Sequence, residues 1–200
     1  MARPKEFDGE TALAAAMALF AQHGFEGTST EALLRAMGIS RQSLYDTFGD
    51  KRQLYLAALR RYGEDGVARF IRTLNAGPTP LTGLEYAIMA FIAETVGPSP
   101  AGQPSCLGVS AICEFGRSDG DVAALGDAAA RRRGDALMRQ LSRAKAAREI
   151  AADIDVPTAA VFLATTLSGL TVAARAGTDA DTLRGVARLA LNALKHPPPL

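Results

Sequence analysis

The apolar residues of the chain recur at helical spacing from the first predicted element onwards. Leu13, Ala16, Met17 and Phe20 fall at i, i+3, i+4 and i+7, which places them on one face of a helix. Asp8 is a candidate N-cap for this helix, and no run of alternating β-branched residues suggests a strand anywhere in the chain. The pattern predicts an all-α fold.

The segment 28–51 predicts two short helices joined by a tight turn and followed by the start of a third. Thr28 and Glu31 fit a capping box at the start of the first helix. Gly38 can adopt the left-handed conformation that ends it, and Ser40 is a second candidate N-cap. A helix, a turn containing Gly and a second helix make a helix-turn-helix.

The second helix of this segment is expected at about residues 41–47, with Leu44 and Phe48 anchoring it to the core. A helix with a polar outer surface fits the major groove of DNA, where the base edges can be distinguished. An ordinary corner in a helical bundle uses the same caps and the same glycine, so the spacing alone leaves both interpretations open. The outward residues are Arg41, Gln42, Ser43, Tyr45 and Thr47.

The rest of the chain also reads as helices, separated by Gly- and Pro-rich breaks. The stretch 156–174 has no charged side chain and is long enough to span a bilayer. It contains Pro157 and Gly169 and has no aromatic belt or flanking basic cluster, which favours a helix buried at an interface. The further helices are expected at about residues 50–74, 81–96, 106–116, 121–150, 157–176 and 178–195.

The charge balance gives no global sign of a nucleic-acid partner. The chain has 22 Lys and Arg against 21 Asp and Glu, a net charge of +1. Any DNA affinity must therefore come from the local placement of charges and from dimerisation, and it should depend strongly on salt. The N-terminus is polar and lacks the features of a secretory signal, so we expect a cytoplasmic protein that does not enter the membrane.

The residues that catalysis requires are scarce. The two histidines, His23 and His196, stand at the end of the first helix and in the C-terminal tail, which makes a Ser-His-Asp arrangement improbable. There is no Glu-x-x-His pair for a di-iron bundle and no glycine-rich phosphate loop. We expect no enzyme activity, no catalytic or metal-ligating residues and no cofactor.

Three motifs together resemble one known family. They are G-F-E-G-T-S-T at 24–30, G-I-S at 38–40 and S-L-Y-D-T-F-G-D-K-R-Q-L-Y at 43–55. This N-terminal part resembles the DNA-binding domain of the TetR family of transcriptional regulators. The segment 169–183 also resembles the region before the last helix in that family. The resemblance covers both ends of the chain.

The resemblance implies a ligand-responsive repressor that binds a palindromic double-stranded DNA operator as a homodimer. Residues 1–50 would form the helix-turn-helix domain. Residues 51–200 would form a larger helical domain that dimerises and binds a small-molecule effector, and the effector would release the operator.

The family's DNA contacts map onto particular residues of this chain. Arg41, Gln42, Ser43, Tyr45 and Thr47 would face the groove. Asp46 departs from the family pattern, because many members carry an aromatic residue or a histidine at this position. A carboxylate there repels phosphate, although it could accept from a cytosine amino group. The expected backbone contacts are Ser29, Thr30, Tyr45 and Lys51, with Arg3 and Lys5 as a basic arm.

Two further sets of residues are assigned to the larger domain. Core packing explains each residue of the effector set equally well. The effector set is Ile88, Met89, Ile92, Cys106, Val109, Ile112 and Phe162. The dimer set is Ala160, Leu163, Ala164, Leu167, Ser168, Val186 and Leu189.

Two other functions remain open from the sequence. Cys106 begins a predicted helix, where backbone amides favour a thiolate, so the regulator could sense electrophiles or oxidants. Alternatively, the chain could be a ligand-carrying helical bundle without DNA binding. Cys106 and Cys113 are seven residues apart, about 10 Å along one helix, which is too far for a disulfide.

Overall fold

The computed structural model describes residues 8–97 and 106–195, and the regular structure within these ranges is entirely helical. The predicted all-α class is confirmed. The helices are α1 Gly9–His23, α2 Thr30–Met37, α3 Arg41–Phe48, α4 Lys51–Leu74, α5 Pro80–Val96, α6 Leu107–Phe115, α7 Gly120–Ala146, α8 Val156–Arg175 and α9 Ala180–Lys195.

The chain divides into two compact units. The N-terminal unit comprises Met1–Glu64 and Cys106–Asp127, and the C-terminal unit comprises Asp65–Ser105 and Ala128–Leu200. The N-terminal unit is therefore discontinuous in sequence, because α6 and the start of α7 pack with the first helices. No local sequence pattern predicted this arrangement. The assignment of DNA binding to 1–50 and of effector binding and dimerisation to 51–200 stays a prediction.

Most helix starts lie where the sequence predicts them, because a side chain accepts the free amides of the first turn. Asp8 caps α1. Ser40 Oγ accepts from Ser43 N at 3.0 Å at the start of α3, and Asp50 Oδ1 accepts from Gln53 N at 2.7 Å at the start of α4. Each cap satisfies donors that would otherwise lack a partner.

The capping box predicted at Thr28 is wrong by one residue. Ser29 is the N-cap of α2, and its Oγ accepts from Ala32 N at 3.1 Å. Thr28 is buried instead, and its hydroxyl donates to the Gly24 carbonyl at 2.6 Å. This bond ties the start of α2 back to the end of α1.

The core of the N-terminal unit fixes the helix-turn-helix from inside. Phe20 of α1, Leu33 of α2, Leu44 of α3 and Tyr55 of α4 are all almost fully buried. The rings of Phe20 and Tyr55 meet edge to face, with centroids 5.0 Å apart. Leu107 of α6 completes this cluster. Because Leu44 is enclosed, the polar residues of α3 point outward.

The core of the C-terminal unit is formed by α5, α8 and α9 with parts of α4 and α7. Leu84, Leu163 and Ala187 are among its buried residues. Among the helices of the described ranges, only α8 is long and apolar enough to cross a membrane by length and composition. One face of α8 packs into this core, which agrees with the predicted buried helix.

One buried amide joins three segments of the C-terminal unit. Gln140 of α7 is 4% exposed, and its Nε2 donates to the carbonyls of Leu74 and Pro80, each at 3.0 Å. A Cβ at Gly83 would collide with the Leu74 carbonyl and approach the Gln140 amide. The turn between α4 and α5 therefore requires both residues.

Candidate nucleic-acid interface

The helix-turn-helix has the geometry that its sequence predicts. The backbone of Gly38 is left-handed at φ 66°, ψ 31°, and its amide and the following one return to carbonyls in the last turn of α2. Ile39 packs against the core, and α3 begins at Arg41. The turn presents α3 with one side anchored by Leu44 and the other side in solvent.

The outward side of α3, which we call the reading face, consists of the five residues predicted to face the groove. Arg41, Gln42 and Tyr45 are exposed, whereas Ser43 and Thr47 are partly buried. Tyr45 is 47% exposed although it is aromatic. The structure therefore brings the whole predicted set onto one short helix.

Carboxylates already engage the two side chains best suited to reading bases. Arg41 Nη2 lies 2.5 Å from Glu31 Oε1, and both side chains are more than half exposed. Gln42 Nε2 donates to Asp46 Oδ1 at 2.7 Å. The pKa of Glu31 is lowered first by its own backbone amide and then by Arg41. Exposed pairs of this kind contribute little stability, so both side chains can turn towards DNA.

The predicted backbone contacts lie at the starts of two helices. Ser29 is the exposed N-cap of α2, and Thr30 is its first residue. Lys51 is the first residue of α4, and its Nζ lies 4.3 Å from the centre of the Phe25 ring. Helix N-termini favour anions such as phosphate. The predicted arm residues Arg3 and Lys5 lie outside the described residues.

A polar cluster beside Lys51 was missed by the sequence reasoning. Arg52 Nη2 contacts both Asp119 oxygens at 3.0 and 3.1 Å and Asp121 Oδ2 at 2.8 Å. Asp119 caps α7. The hydrogen bond from the Val122 amide is the largest cause that lowers the pKa of Asp119, and the hydrogen bond from Arg52 lowers it further. The partners are 67 and 69 residues apart, so no local pattern could have paired them.

Three members of the predicted dimer set lie on the inward side of α8. Ala160, Leu163 and Leu167 are at most 4% exposed and lie in the unit's own core, which leaves little of their surface for a second chain to contact. The helix is apolar on both sides, and its packing with α5 and α9 decides which side turns inward. Ala164 is partly buried, and Ser168 is exposed.

The opposite side of α8, together with α9, presents an uncharged surface that we call the pairing face. Val161 and Leu189 are 66% and 72% exposed. The hydroxyl of Ser168 donates to the carbonyl of Ala164 at 3.1 Å, so its polar hydrogen is satisfied within the helix. The pairing face consists of Val161, Phe162, Thr165, Ser168 and Val172 of α8 with Val186 and Leu189 of α9.

The predicted effector residues do not form one set within either unit. Ile88 and Ile92 are buried in the C-terminal core and Met89 packs against it, whereas Cys106, Val109 and Ile112 belong to the N-terminal unit. Ile112 is 70% exposed because α6 turns its other face inward. Phe162 is also exposed and lies on the pairing face.

An open groove runs between α4 and α5 in the C-terminal unit. An ion pair between Arg69 and Glu94, 3.4 Å apart, crosses it, and its empty space of about 220 Å³ includes open solvent. None of the seven predicted effector residues lines it. Its lining residues are Gly66, Arg69, Phe70, Thr73, Ala87, Ala90, Phe91 and Glu94.

Both cysteines are free thiols, and they differ in surroundings. Cys106 is the N-cap residue of α6, is partly buried and accepts a hydrogen bond from the Tyr62 hydroxyl at 3.3 Å. Cys113 is exposed. Only Cys106 combines a helix N-terminus with a neighbouring donor.

Comparison with known proteins supports a regulator of transcription. The family described as bacterial regulatory proteins, tetR family, matches residues 12–58, and the tetracyclin repressor-like C-terminal domain matches residues 83–190. The uncharacterized HTH-type transcriptional regulator YezE of Bacillus subtilis is 32% identical over 197 residues, covering 97% of this chain and 100% of that protein. The HTH-type transcriptional repressor ComR of Escherichia coli is 31% identical over 187 residues, covering 92% and 88%.

A solved structure agrees with these relatives. The TetR family transcriptional regulator CifR, as a cysteine mutant complexed with 26-base-pair operator DNA, is 31% identical and has a TM-score of 0.78. The match covers 96% of this chain and 100% of that one.

Proposed function

The chain belongs to the TetR family of transcriptional regulators, and we propose that it is a repressor that binds a palindromic operator as a homodimer. The observation that carries the proposal is the reading face: a short helix anchored by Leu44, with Arg41 and Gln42 exposed to solvent. A protein that binds bacterial operator DNA acts in the cytoplasm. No step of the proposal is catalytic.

The reading face supplies base recognition. Arg41 can pair bidentately with guanine O6 and N7, and Gln42 can do so with adenine N6 and N7. Each must first leave its carboxylate partner, Glu31 or Asp46. Ser29, Thr30 and Lys51 contact phosphates, which fixes the register of α3 without adding sequence preference.

The pairing face supports dimerisation. Contiguous apolar surface on a soluble protein marks an interaction site, and this surface carries no charged residue that a partner would have to neutralise. A second copy presents the same face about a two-fold axis, because isologous contacts close a dimer. The axis then sets the spacing of the two reading helices, which matches the half-sites of the operator.

The effector acts through a population shift. A small molecule that binds the C-terminal unit more tightly in one dimer geometry than in another favours that geometry. If the favoured geometry separates the reading helices by the wrong distance, operator affinity falls, and by linkage the operator weakens effector binding equally.

A mobility-shift titration tests the proposal. The probe is the DNA flanking the protein's own gene, titrated at two salt concentrations with the wild-type protein and with Arg41→Ala/Gln42→Ala. Arg132→Ala, an exposed arginine of α7, is the control for the lost charge. We expect a specific, salt-sensitive shift for the wild type and the control, and its loss in the double variant.

The contrary outcome identifies the other candidate class. A folded dimer that shifts no DNA at either salt concentration, yet retains a small molecule through purification, is the helical ligand carrier. A shift that persists unchanged in the double variant means that another surface reads the operator.

One observation favours a second candidate, a thiol-sensing regulator. Cys106 is the N-cap residue of α6, and its sulfur accepts a hydrogen bond from the Tyr62 hydroxyl. An electrophile would add to Cys106 Sγ and displace the start of α6. Cys106→Ser should abolish the response of operator binding to N-ethylmaleimide. Cys113→Ser, the matched exposed thiol, should leave the response intact.

A further inference from the structure

The end of α6 reaches the turn between α1 and α2 through a carboxylate. Glu114 Oε2 accepts from Phe25 N at 2.8 Å, and Oε1 accepts from Glu26 N at 3.3 Å. These amides follow the end of α1, where the helix offers them no carbonyl. The turn admits the carboxylate because residue 24 is glycine. Its φ is +73°, and a Cβ there would collide with Glu114.

The next residue of α6 holds the side chain of the same turn. The ring of Phe115 lies 5.7 Å from that of Phe25 and 5.7 Å from that of Tyr55, measured between centroids. Tyr55 is 1% exposed and meets Phe25 at 5.1 Å. Phe25 is therefore fixed at its backbone by Glu114 and at its ring by Phe115 and Tyr55.

The other neighbour of Phe25 is a candidate DNA contact. Lys51 Nζ lies 4.3 Å from the ring centre, within the range of a cation–π interaction. A lysine has four rotatable bonds, so a ring beneath its ammonium group limits where that group can lie. The position of Phe25 thus sets the position of a phosphate-binding charge.

The same part of the chain holds the residue after Lys51. Arg52 bridges Asp119 and Asp121 at the start of α7, with contacts of 2.8 to 3.1 Å. The segment 114–121 therefore fixes the first turn of α4 at two points, one through Phe25 and one through Arg52.

We propose that Glu114 and Phe115 are positioning residues for operator binding, which place Lys51 on the DNA backbone through Phe25. The inference rests on the proposed function, since it requires a DNA-binding protein. Glu114 itself touches no DNA. It holds the α1–α2 turn, and thereby Phe25, in the position that directs the Lys51 ammonium group to a phosphate.

The dependence of operator affinity on salt tests the inference. Each phosphate contact contributes about 0.9 to the slope of log K against log salt. Lys51→Ala should make this negative slope less steep by about 0.9 per protomer, and Glu114→Ala should make it less steep by most of the same amount. Affinity near 0.2 M salt should fall on the order of tenfold in each. Glu114→Gln, which keeps one acceptor oxygen, should lie between wild type and Glu114→Ala.

The double variant and a control separate positioning from a general loss of structure. Glu114→Ala/Lys51→Ala should show no further loss beyond Lys51→Ala, because Glu114 acts through Lys51. Asp127→Asn is the control: it removes a carboxylate of the same unit that pairs with Arg117 at 3.1 Å. Its salt slope should equal that of the wild type.

Three outcomes overturn the inference. The first is an unchanged slope and affinity in Glu114→Ala. The second is a double variant whose loss equals the sum of the two single losses. If Glu114→Ala is unfolded by circular dichroism, Phe25→Leu takes its place, and an unchanged slope in that variant is the third. A wild-type protein that shifts no operator contradicts the proposed function instead, and the inference with it.

Discussion

The reading face and the pairing face are both exposed surfaces of helices, yet they are built from opposite materials. The reading face is polar, and its longest side chains are held by neighbouring carboxylates, Arg41 by Glu31 and Gln42 by Asp46. The pairing face has no charged residue, and its most exposed large apolar residue is Leu189. The first surface exchanges one set of polar partners for another, whereas the second loses water without replacement.

This difference predicts opposite responses to salt. Contacts between cationic side chains and phosphates weaken as the salt concentration rises, because the release of condensed counterions then gains less entropy. Apolar burial is insensitive to moderate salt. A net charge of +1 is therefore compatible with DNA binding, because the relevant charges are placed locally.

The largest effect should come from placing a charge on the pairing face. Leu189→Arg buries an unpaired guanidinium in each half of the dimer, at a cost of about 3 kcal/mol or more. We expect the dimer dissociation constant to rise at least 100-fold in analytical ultracentrifugation and operator binding to fall with it. Met138→Arg changes an exposed apolar residue of α7 outside this face and should stay dimeric. If the Leu189→Arg protein stayed dimeric, the dimer interface would have to lie on another surface.

Two glutamines sharpen the comparison because one amide serves stability and the other serves recognition. Gln140→Leu removes the side-chain donor to the carbonyls of Leu74 and Pro80 and should lower the free energy of unfolding by about 2 kcal/mol. Gln42→Leu should change it by less than about 0.5 kcal/mol while weakening operator binding. Urea unfolding followed by circular dichroism measures both. Equal destabilisation would contradict the contrast.

Asp46→Ala should act on recognition in the favourable direction. It removes a negative charge from α3 and frees Gln42, so operator affinity should rise several-fold at low salt and less at high salt. Glu85→Ala removes an exposed carboxylate from α5 and should leave affinity unchanged. Weaker binding by Asp46→Ala would mean that Asp46 is needed to orient Gln42.

The smallest effect is an acid dependence shared by both units. The Val122 amide lowers the pKa of Asp119, and the Thr182 amide lowers that of Asp179. A carboxylate with a lowered folded-state pKa stabilises the protein above its unfolded pKa of about 3.9, and this contribution is lost as pH falls through the folded value. The urea midpoint should therefore fall between pH 5 and pH 3. Asp179→Asn keeps a cap and should flatten that dependence slightly.

Local patterns predicted the reading face well. Each of its features depends on residues within four positions, so a local stretch of sequence is enough to predict it. These features are the caps Ser40 and Asp50, the left-handed Gly38 and the anchor Leu44. The shift of the α2 cap from Thr28 could not be read this way, because two adjacent hydroxyls compete. A bond from Thr28 to the preceding helix decides between them.

The orientation of α8 could not be predicted from local patterns. The sequence shows that residues 156–174 of α8 carry no charge, but Leu163 and Val161 are both apolar, and only packing against α5 and α9 decides which turns inward. The contacts of Glu114 and Arg52 were missed altogether. Their partners are 67 to 89 residues away, and charge alone does not say where they meet.

The discontinuity of the N-terminal unit has a consequence for how the protein folds. Phe25 and Glu114 are 89 residues apart, so the unit closes a long loop before its last contacts form. A nascent chain ending near residue 64 has the reading face but lacks Leu107 and Phe115, and it leaves the surface of Tyr55 open to water. The DNA-reading end is therefore synthesised first and finished late. A fragment cut at the end of the helix-turn-helix should be far less stable than the same residues within the whole chain.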